Sequence, residues 1–168
     1  MIEVIFRKIG FLNKFCVELG TGNGFECNCR FLIEKFGFDY VLIDSGEYDN
    51  PFVDIKREFL TAENINEIFR KYEIPEEFDL LSIDIDYNTF WIWHALDRRY
   101  RPRVVVVEYN STIPLDQSKV VQYDPQGEWK GDNYFAGSLL AFVKLASEKG
   151  YTLVGCESKG VNVFFCKR

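Results

Sequence analysis

Short, continuous apolar runs alternate with longer amphipathic stretches along most of the chain. The runs are too short for helices, and they lack the polar alternation of a half-exposed strand, so they predict strands buried on both faces. Four such runs are FCVEL (15–19), YVLID (40–44), FDLLSID (78–84) and RVVVVEYN (103–110). One more strand is predicted within 52–60.

The intervening stretches have apolar residues at helical spacing, which predicts four helices at 25–37, 61–74, 88–100 and 136–150. Thr61 is expected to cap the second helix, and a glycine ends both the first and the last. Cys27 and Cys29 are expected to lie within the first helix.

Strands that alternate with helices predict a parallel sheet covered on both faces. The final strands, 151–158 and 161–167, are separated by a short turn and predict an antiparallel hairpin. The expected fold class is therefore α/β, a Rossmann-like, doubly wound, mostly parallel seven-stranded sheet with an antiparallel C-terminal hairpin, in a single domain over 1–168. Residues 111–135 form one long irregular stretch, which is typical of a lid or binding loop.

Composition narrows the class of protein. The 168 residues are 47% hydrophobic and carry a net charge of −6, which argues against a nucleic-acid partner. The only dense basic cluster, RRYRPR (98–103), is interpreted as a solvated helix end. No apolar run approaches a membrane span, and the N-terminus lacks the pattern of a signal peptide. Five cysteines, an odd number, favour reduced thiols in a cytoplasmic protein.

The stretch VELGTGNG (17–24) places a carboxylate and three alternate glycines between a strand and a helix. Glycines at such a turn let a ligand approach the backbone, and the helix start offers free amides. Dinucleotide sites use the same place with the spacing G-x-G-x-x-G. Here the carboxylate of Glu18 would repel a pyrophosphate and favour an ammonium or sulfonium group.

This stretch resembles motif I of the class I S-adenosylmethionine-dependent methyltransferases, and the resemblance extends along most of the chain. It implies S-adenosyl-L-methionine as cofactor, with Glu18 at its amino-acid end, Asp44 on its ribose, and the segment FLTAEN (59–64) along its adenine. Each residue alone has an ordinary structural explanation, such as a turn cap for Asp44, but three acids at successive strand tips favour a cofactor site. The predicted cofactor-binding residues are Glu18, Gly20, Thr21, Gly22, Asn23, Asp44, Ser45, Leu60, Thr61 and Asp84.

An alcohol acceptor must lose its proton to a base or beside a metal. The tips of the fourth and fifth predicted strands carry Asp84, Asp86, Glu108 and Asn110, and in this fold the carboxyl ends of these strands converge. All four are candidate ligands of Mg²⁺ or Mn²⁺, and the three acids are the candidate catalytic residues. The alternative is a metal-free site in which Asp86 or Glu108 is the base. Metal-dependent O-methyltransferases place similar residues here, although Tyr109 separates Glu108 from Asn110.

The segment from LLSIDIDYNTFWIW to YRPRVVVVEYNSTIP also resembles FkbM-related methyltransferase domains of bacteria and large DNA viruses, some of which are attached to glycosyltransferases. That resemblance implies O-methylation of a sugar, although Asp86 and Tyr87 replace the family's usual glutamate and glycine. Trp129, Tyr134 and Asn110 are the predicted substrate residues, and Tyr123 and Phe135 add loop aromatics that could stack on a sugar. One of Trp91 and Trp93 is expected in the core, and His94 is expected away from the strand tips.

The sequence therefore predicts an S-adenosylmethionine-dependent O-methyltransferase that methylates a sugar hydroxyl in glycan biosynthesis. The expected partners are a carbohydrate acceptor and a glycosyltransferase domain or partner. The alternatives are a small-molecule or protein methyltransferase, or a non-catalytic S-adenosylmethionine-binding module of a glycan-synthesis assembly.

Overall fold

A computed structural model describes residues 1–168 and contains one seven-stranded sheet with the strand order β3-β2-β1-β4-β5-β7-β6. All neighbouring strands are parallel except for the two pairs that involve β7, which are antiparallel. The predicted fold class is confirmed. The strands are β1 Phe15–Leu19, β2 Asp39–Asp44, β3 Ile55–Arg57, β4 Leu80–Ile83, β5 Val104–Glu108, β6 Tyr151–Cys156 and β7 Asn162–Lys167.

Five α-helices cover the two faces of the sheet, because alternate strand residues point to opposite sides. One face packs on α1 and α2, and the other packs on α3, α4 and α5. In β5, for example, Val104 and Val106 join the first core and Val105 and Val107 join the second. The helices are α1 Ile2–Ile9, α2 Arg30–Phe36, α3 Ile65–Lys71, α4 Thr89–Ala95 and α5 Leu139–Lys149.

Several helices are shorter than their hydrophobic pattern predicts. The helix predicted from residue 25 begins at Arg30, so Cys27 lies in the preceding turn and Cys29 is the N-cap. The helix predicted from Thr61 begins at Ile65 after a turn, with Asn64 as its N-cap. In both places a turn uses residues whose spacing still fits a helix.

Helix α1 was not predicted, although Ile2, Ile5, Phe6 and Ile9 have helical spacing. Asp79 ties the segment after α1 to the sheet, and its buried carboxylate accepts hydrogen bonds from the backbone N–H groups of Leu12, Asn13 and Lys14. No helix of the fold is long and apolar enough to cross a bilayer.

Candidate functional site

A cavity of about 820 Å³ opens at the carboxyl ends of the central strands, where ligands bind in open parallel sheets. Its walls come from the turns after β1, β2 and β4 and from the long loop. Among the predicted cofactor residues, the lining includes Gly20, Thr21, Gly22, Asn23, Asp44, Ser45, Leu60 and Asp84.

The glycine turn is held against the tip of β4. Gly20 has a φ of 82°, and a Cβ there would lie 1.8 Å from the carbonyl oxygen of Asp84. Only glycine fits this approach. At Gly22, which lines the cavity, a Cβ would meet no atom within 4 Å and would project into open space. Gly20 therefore allows the ends of β1 and β4 to approach closely, and Gly22 leaves open space beside the cavity.

Asp44 ends β2 and organises the neighbouring turns. Its two carboxylate oxygens accept hydrogen bonds from the backbone N–H groups of Gly22 and Gly46, each at 2.8 Å. The Asp44 carboxylate also raises the pKa of Tyr48, another residue of the cavity lining. Asp44 thus lies at the cavity as predicted, with remaining acceptor capacity for hydroxyl groups.

Glu18 is placed differently from the prediction that it contacts the cofactor. It is 2% exposed and does not line the cavity. Its carboxylate accepts hydrogen bonds from the backbone N–H groups of Asn28 and Cys29 at 2.8 and 2.7 Å, and from the Ser82 hydroxyl. Burial raises the pKa of Glu18 despite these donors. Its role is to hold the start of α2 against the sheet, because a carboxylate satisfies free amides at a helix N-terminus.

The two predicted adenine-side residues also differ from each other. Leu60 lines the cavity and is 8% exposed, so it offers an apolar surface. Thr61 does not line the cavity; its backbone N–H and its hydroxyl are both hydrogen-bonded to Asn64. Thr61 therefore shapes the turn before α3.

The acids after β4 and β5 converge. The strand register pairs Ile83 with Val107, so Asp84 and Glu108 are neighbours on one face of the sheet. One oxygen from each of Asp84, Asp86 and Glu108 lies within 4.8 Å of the other two. Asp84 and Asp86 line the cavity, whereas Glu108 lies behind them. The three predicted catalytic acids thus form one cluster.

Crowding of these acids favours their protonated forms. Burial, followed by the charges of Asp86 and Glu18, raises the pKa of Asp84 to about 6. Burial and the charges of Asp84 and Asp86 raise the pKa of Glu108 to about 9. The upward shift is larger for Glu108 than for Asp84, so Glu108 is the acid of the pair that favours the protonated form at neutral pH.

Asn110, predicted as a metal ligand and substrate residue, is hydrogen-bonded within the long loop. Its side-chain N–H groups donate to the carbonyl oxygens of Asn133 and Phe135, and its Oδ1 accepts from the N–H and hydroxyl of Thr112. The whole amide is therefore occupied in holding both ends of the long loop.

Another amide lies near the acids instead. Asn162 is directly opposite Glu108 in the β5–β7 pair. Oε2 of Glu108 and Oδ1 of Asn162 are both buried without a hydrogen-bond partner. Hard cations bind oxygen ligands, and two unpaired buried oxygens on adjacent strands are therefore candidate ligands for such an ion. Asn162 was not predicted, because its position opposite Glu108 depends on the antiparallel register of β7.

The long loop reaches the cavity through only some of its aromatic residues. Trp129 lines the cavity and is half exposed, with its indole N–H donating to the carbonyl oxygen of Asp132 at 2.6 Å. Tyr134 does not line the cavity; its ring packs edge-on against Tyr87 at 6.0 Å. Of the two loop aromatics predicted as substrate residues, Trp129 thus lies at the cavity, whereas Tyr134 packs against Tyr87.

The remaining predicted aromatic residues pack within the fold. Trp93 is a core residue, 1% exposed, whereas the ring of Trp91 contacts Tyr123. His94 is exposed on α4 and packs against Phe90, away from the cavity.

Asn88 is a cavity residue that the sequence did not single out. It is 4% exposed, its side-chain N–H donates to the carbonyl oxygen of Asp124 at 2.7 Å, and its Oδ1 has no partner. It therefore connects the long loop to the turn that carries Asp86.

The chain resembles the solved structure described as MycE methyltransferase from the mycinamycin biosynthetic pathway in complex with Mg and SAH, with a TM-score of 0.59 and 16% identity over 98% of the chain. The chain spans 44% of the length of MycE. At this identity, the likeness shows a shared fold.

Other comparisons are weaker. TnmH matches with a TM-score of 0.47 and 12% identity, over 92% of this chain and 50% of its own. The pyocyanin biosynthetic protein PhzM matches with a TM-score of 0.46 and 12% identity, over 99% and 54%. No family model and no curated protein sequence matches the chain.

Proposed function

We propose that the chain binds S-adenosylmethionine in this cavity and transfers its methyl group to a hydroxyl oxygen of a sugar. One observation carries the proposal: a single cavity is lined by the glycine turn, by Asp44 and by both Asp84 and Asp86. The residues proposed to bind the methyl donor and the carboxylates that an alcohol acceptor requires therefore line the same cavity.

The cofactor residues divide the cavity by chemistry. Gly22 leaves space beside the backbone, Asp44 has acceptor capacity for the ribose hydroxyls, and Leu60 offers an apolar surface for the adenine. When bound, the cofactor supplies a methyl group on a positively charged sulfur. The acid cluster gives this end of the cavity the negative charge that suits a sulfonium.

Asp86 is the base that best fits a metal-free reaction. It is exposed at the cavity wall, so its carboxylate can accept the hydroxyl proton as the oxygen attacks the methyl carbon. Burial raises the pKa of Asp86, and the charge of Asp44 adds to that effect. Glu108 is unsuited to the role because burial and the charges of Asp84 and Asp86 raise its pKa to about 9 and so favour its protonated form, and because it does not line the cavity.

The same residues also fit Mg²⁺ or Mn²⁺. Asp84, Asp86 and Glu108 would hold the ion, and the unpaired oxygens of Glu108 and Asn162 are the observation that supports the fit. When bound, the ion supplies positive charge that lowers the pKa of an acceptor hydroxyl. The Mg and SAH in the MycE structure support both ligands.

The sugar acceptor rests on Trp129 and on the resemblance to FkbM-related domains. The half-exposed indole at the cavity offers a flat apolar face, which suits the C–H face of a pyranose. Glycan biosynthesis, a glycosyltransferase partner and a cytoplasmic location are the setting that this acceptor implies, and they stay predictions.

A two-stage experiment tests the proposal. Calorimetry first measures S-adenosylmethionine binding, and a labelled methyl donor is then offered with nucleotide sugars and with rhamnose- or fucose-containing oligosaccharides. Label in a sugar product supports the proposal. Absence of binding overturns it entirely. Binding without transfer to any acceptor favours the non-catalytic module, and transfer only to phenols or proteins overturns the sugar assignment.

A further inference from the structure

A second cleft lies on the opposite side of the molecule from the cavity, at the amino-terminal ends of the parallel strands, where β5 begins and α4 and α5 end. Its volume is about 320 Å³. Five cationic side chains and no acidic one belong to its lining, on a chain with a net charge of −6. The cations are Arg98, Arg101, Lys149, Lys167 and Arg168. Two of them come from the RRYRPR cluster (98–103), which the candidate site leaves unexplained.

The positive charge of the cleft is only partly balanced. Arg101 and Lys167 share Glu77, at 3.3 and 3.0 Å. Arg168 donates to the hydroxyl groups of Thr152 and Ser147, which carry no charge. Arg98 forms no ion pair and no side-chain hydrogen bond. The neighbouring arginines each pair with an acid: Arg99 with Asp97, Arg101 with Glu77 and Arg103 with Asp79. At least one guanidinium at the cleft therefore has all its donors free.

Lys149 is half-buried and also lacks a counter-charge in contact with it. Its ammonium makes one hydrogen bond, to the carbonyl oxygen of Leu96 at 2.8 Å. Burial and the charge of Arg98 lower the pKa of Lys149 to about 8, although Asp97 and Glu148 act in the opposite direction. An ammonium in this position gains from an anion brought into the cleft.

Arg98 and Lys149 therefore give one cleft two different cationic groups that have spare hydrogen-bond donors and no counter-charge in contact with them. Such a combination is the pattern of an anion site.

We propose that this cleft binds the phosphate group of a phosphorylated small molecule. Guanidinium and ammonium groups are the side chains that recognise phosphate oxygens. Free phosphate offers the same charge and oxygens, but the volume falls at the lower end of small-molecule pockets, roughly 300–1,000 Å³, so there is room for an organic part. The cleft is at the amino-terminal ends of the parallel strands and shares no lining residue with the proposed methyl-transfer cavity. The inference is therefore independent of the proposed reaction.

Calorimetry at fixed ionic strength with ribose 5-phosphate, inorganic phosphate and ribose tests the proposal. We expect saturable binding of ribose 5-phosphate, weaker binding of inorganic phosphate and none of ribose. Arg98→Gln and Lys149→Gln should each weaken binding about tenfold, as expected for a lost charge-assisted hydrogen bond. Arg98 is exposed, so its substitution tests the site even if the Lys149 variant folds poorly.

Arg99→Gln is the matched control. Arg99 is the next residue, is exposed, pairs with Asp97 and does not line the cleft, so its removal changes the same charge and should leave affinity within about twofold. Equal weakening by Arg99→Gln would reveal non-specific attraction and overturn the site. No saturable binding of either phosphate ligand at millimolar concentration would also overturn it. Equal affinity for both ligands would assign the site to free phosphate and overturn the organic part.

Discussion

The backbone N–H of Cys29 donates a 2.7 Å hydrogen bond to the carboxylate of Glu18, so this acid of the glycine motif contacts the start of α2 and does not line the cavity. The acid of the glycine motif and the acid that ends β2 therefore have different tasks. Glu18 fixes the direction in which the chain leaves the glycine turn, and Asp44 stays available to a ligand. Substitutions at the two positions should separate stability from affinity.

Glu18→Ala should lower the stability of the protein and leave cofactor affinity nearly unchanged. The buried N–H groups of Asn28 and Cys29 lose their acceptor, at a cost of about 2–3 kcal/mol, or about 5–10 °C in Tm. Thermal unfolding and calorimetry measure the two effects, and Glu18→Gln, which keeps an acceptor, should lose less. A tenfold loss of affinity at unchanged Tm would make Glu18 a direct ligand after all.

Asp44→Asn should weaken S-adenosylmethionine binding about ten- to a hundredfold, because a charged acceptor for the ribose hydroxyls is lost. Glu47→Gln removes the same charge nearby from an exposed residue that pairs with Arg57 and does not line the cavity, so its Kd should match that of the wild type. Calorimetry on both variants gives the comparison. Equal affinity in all three proteins would remove Asp44 from the site.

Trp129→Ala should raise the KM for the acceptor about three- to tenfold while cofactor affinity stays the same. The reason is the loss of one aromatic contact, worth about 0.5–1.5 kcal/mol. Steady-state kinetics measures the effect, and Trp129→Phe should recover most of it. If KM, cofactor affinity and Tm all change together, Trp129 serves to pack the loop.

Asp86→Asn should reduce turnover about 10²–10⁴-fold with cofactor binding intact, the usual contribution of a general base. Glu108→Gln separates the two mechanisms, because a glutamine is uncharged like a protonated Glu108 but lacks the carboxylate that a metal would need. Without a metal, Glu108→Gln should change turnover little, and EDTA should have no effect. If a metal is required, both the Glu108→Gln substitution and EDTA should abolish activity. Added Mg²⁺ or Mn²⁺ should then restore the activity of the EDTA-treated wild type but not that of the variant. Full turnover in Asp86→Asn would place the base elsewhere.

Stability without added metal should fall with pH because of Glu108. Its folded-state pKa of about 9 lies above the value in the unfolded chain, so its contribution to stability is complete below about pH 4.5 and is lost as the pH rises towards 9. The Tm of Glu108→Gln relative to wild type should therefore increase between pH 5 and pH 8, by at least about 2 °C. Glu128→Gln, at an exposed acid, should show no such trend. A constant difference across this range would mean that Glu108 is ionised throughout.

Local pattern was sufficient for the central strands and insufficient for the helix starts. Strands β1, β2, β4 and β5 are continuous apolar runs because both of their faces are covered, whereas β3 (IKR) has two charged side chains and was predicted only as lying within 52–60. The order of the strands was not predicted. The start of α2 at Arg30 depends on Glu18, a residue on a neighbouring strand, so helical spacing alone placed it too early.

The candidate site was predictable in the positions of its acids and not in the use of its amides. Asp84 and Glu108 follow neighbouring strands, and the convergence of parallel strand ends brings them together. Asn110 follows the same strand but is held by Thr112 and Asn133, whose positions depend on the path of the loop. Asn162 approaches Glu108 only through the antiparallel register of β7.

The backbone of Asp86 has a φ of 58°, in the left-handed region that glycine adopts without strain. The position therefore combines an unfavourable backbone conformation with a carboxylate crowded by other acids. Asp86→Gly would relieve both, so it should unfold at a higher temperature while losing its proton acceptor. Selection for stability alone would favour glycine at residue 86, and in the proposed mechanism the aspartate exchanges that stability for a base at the cavity.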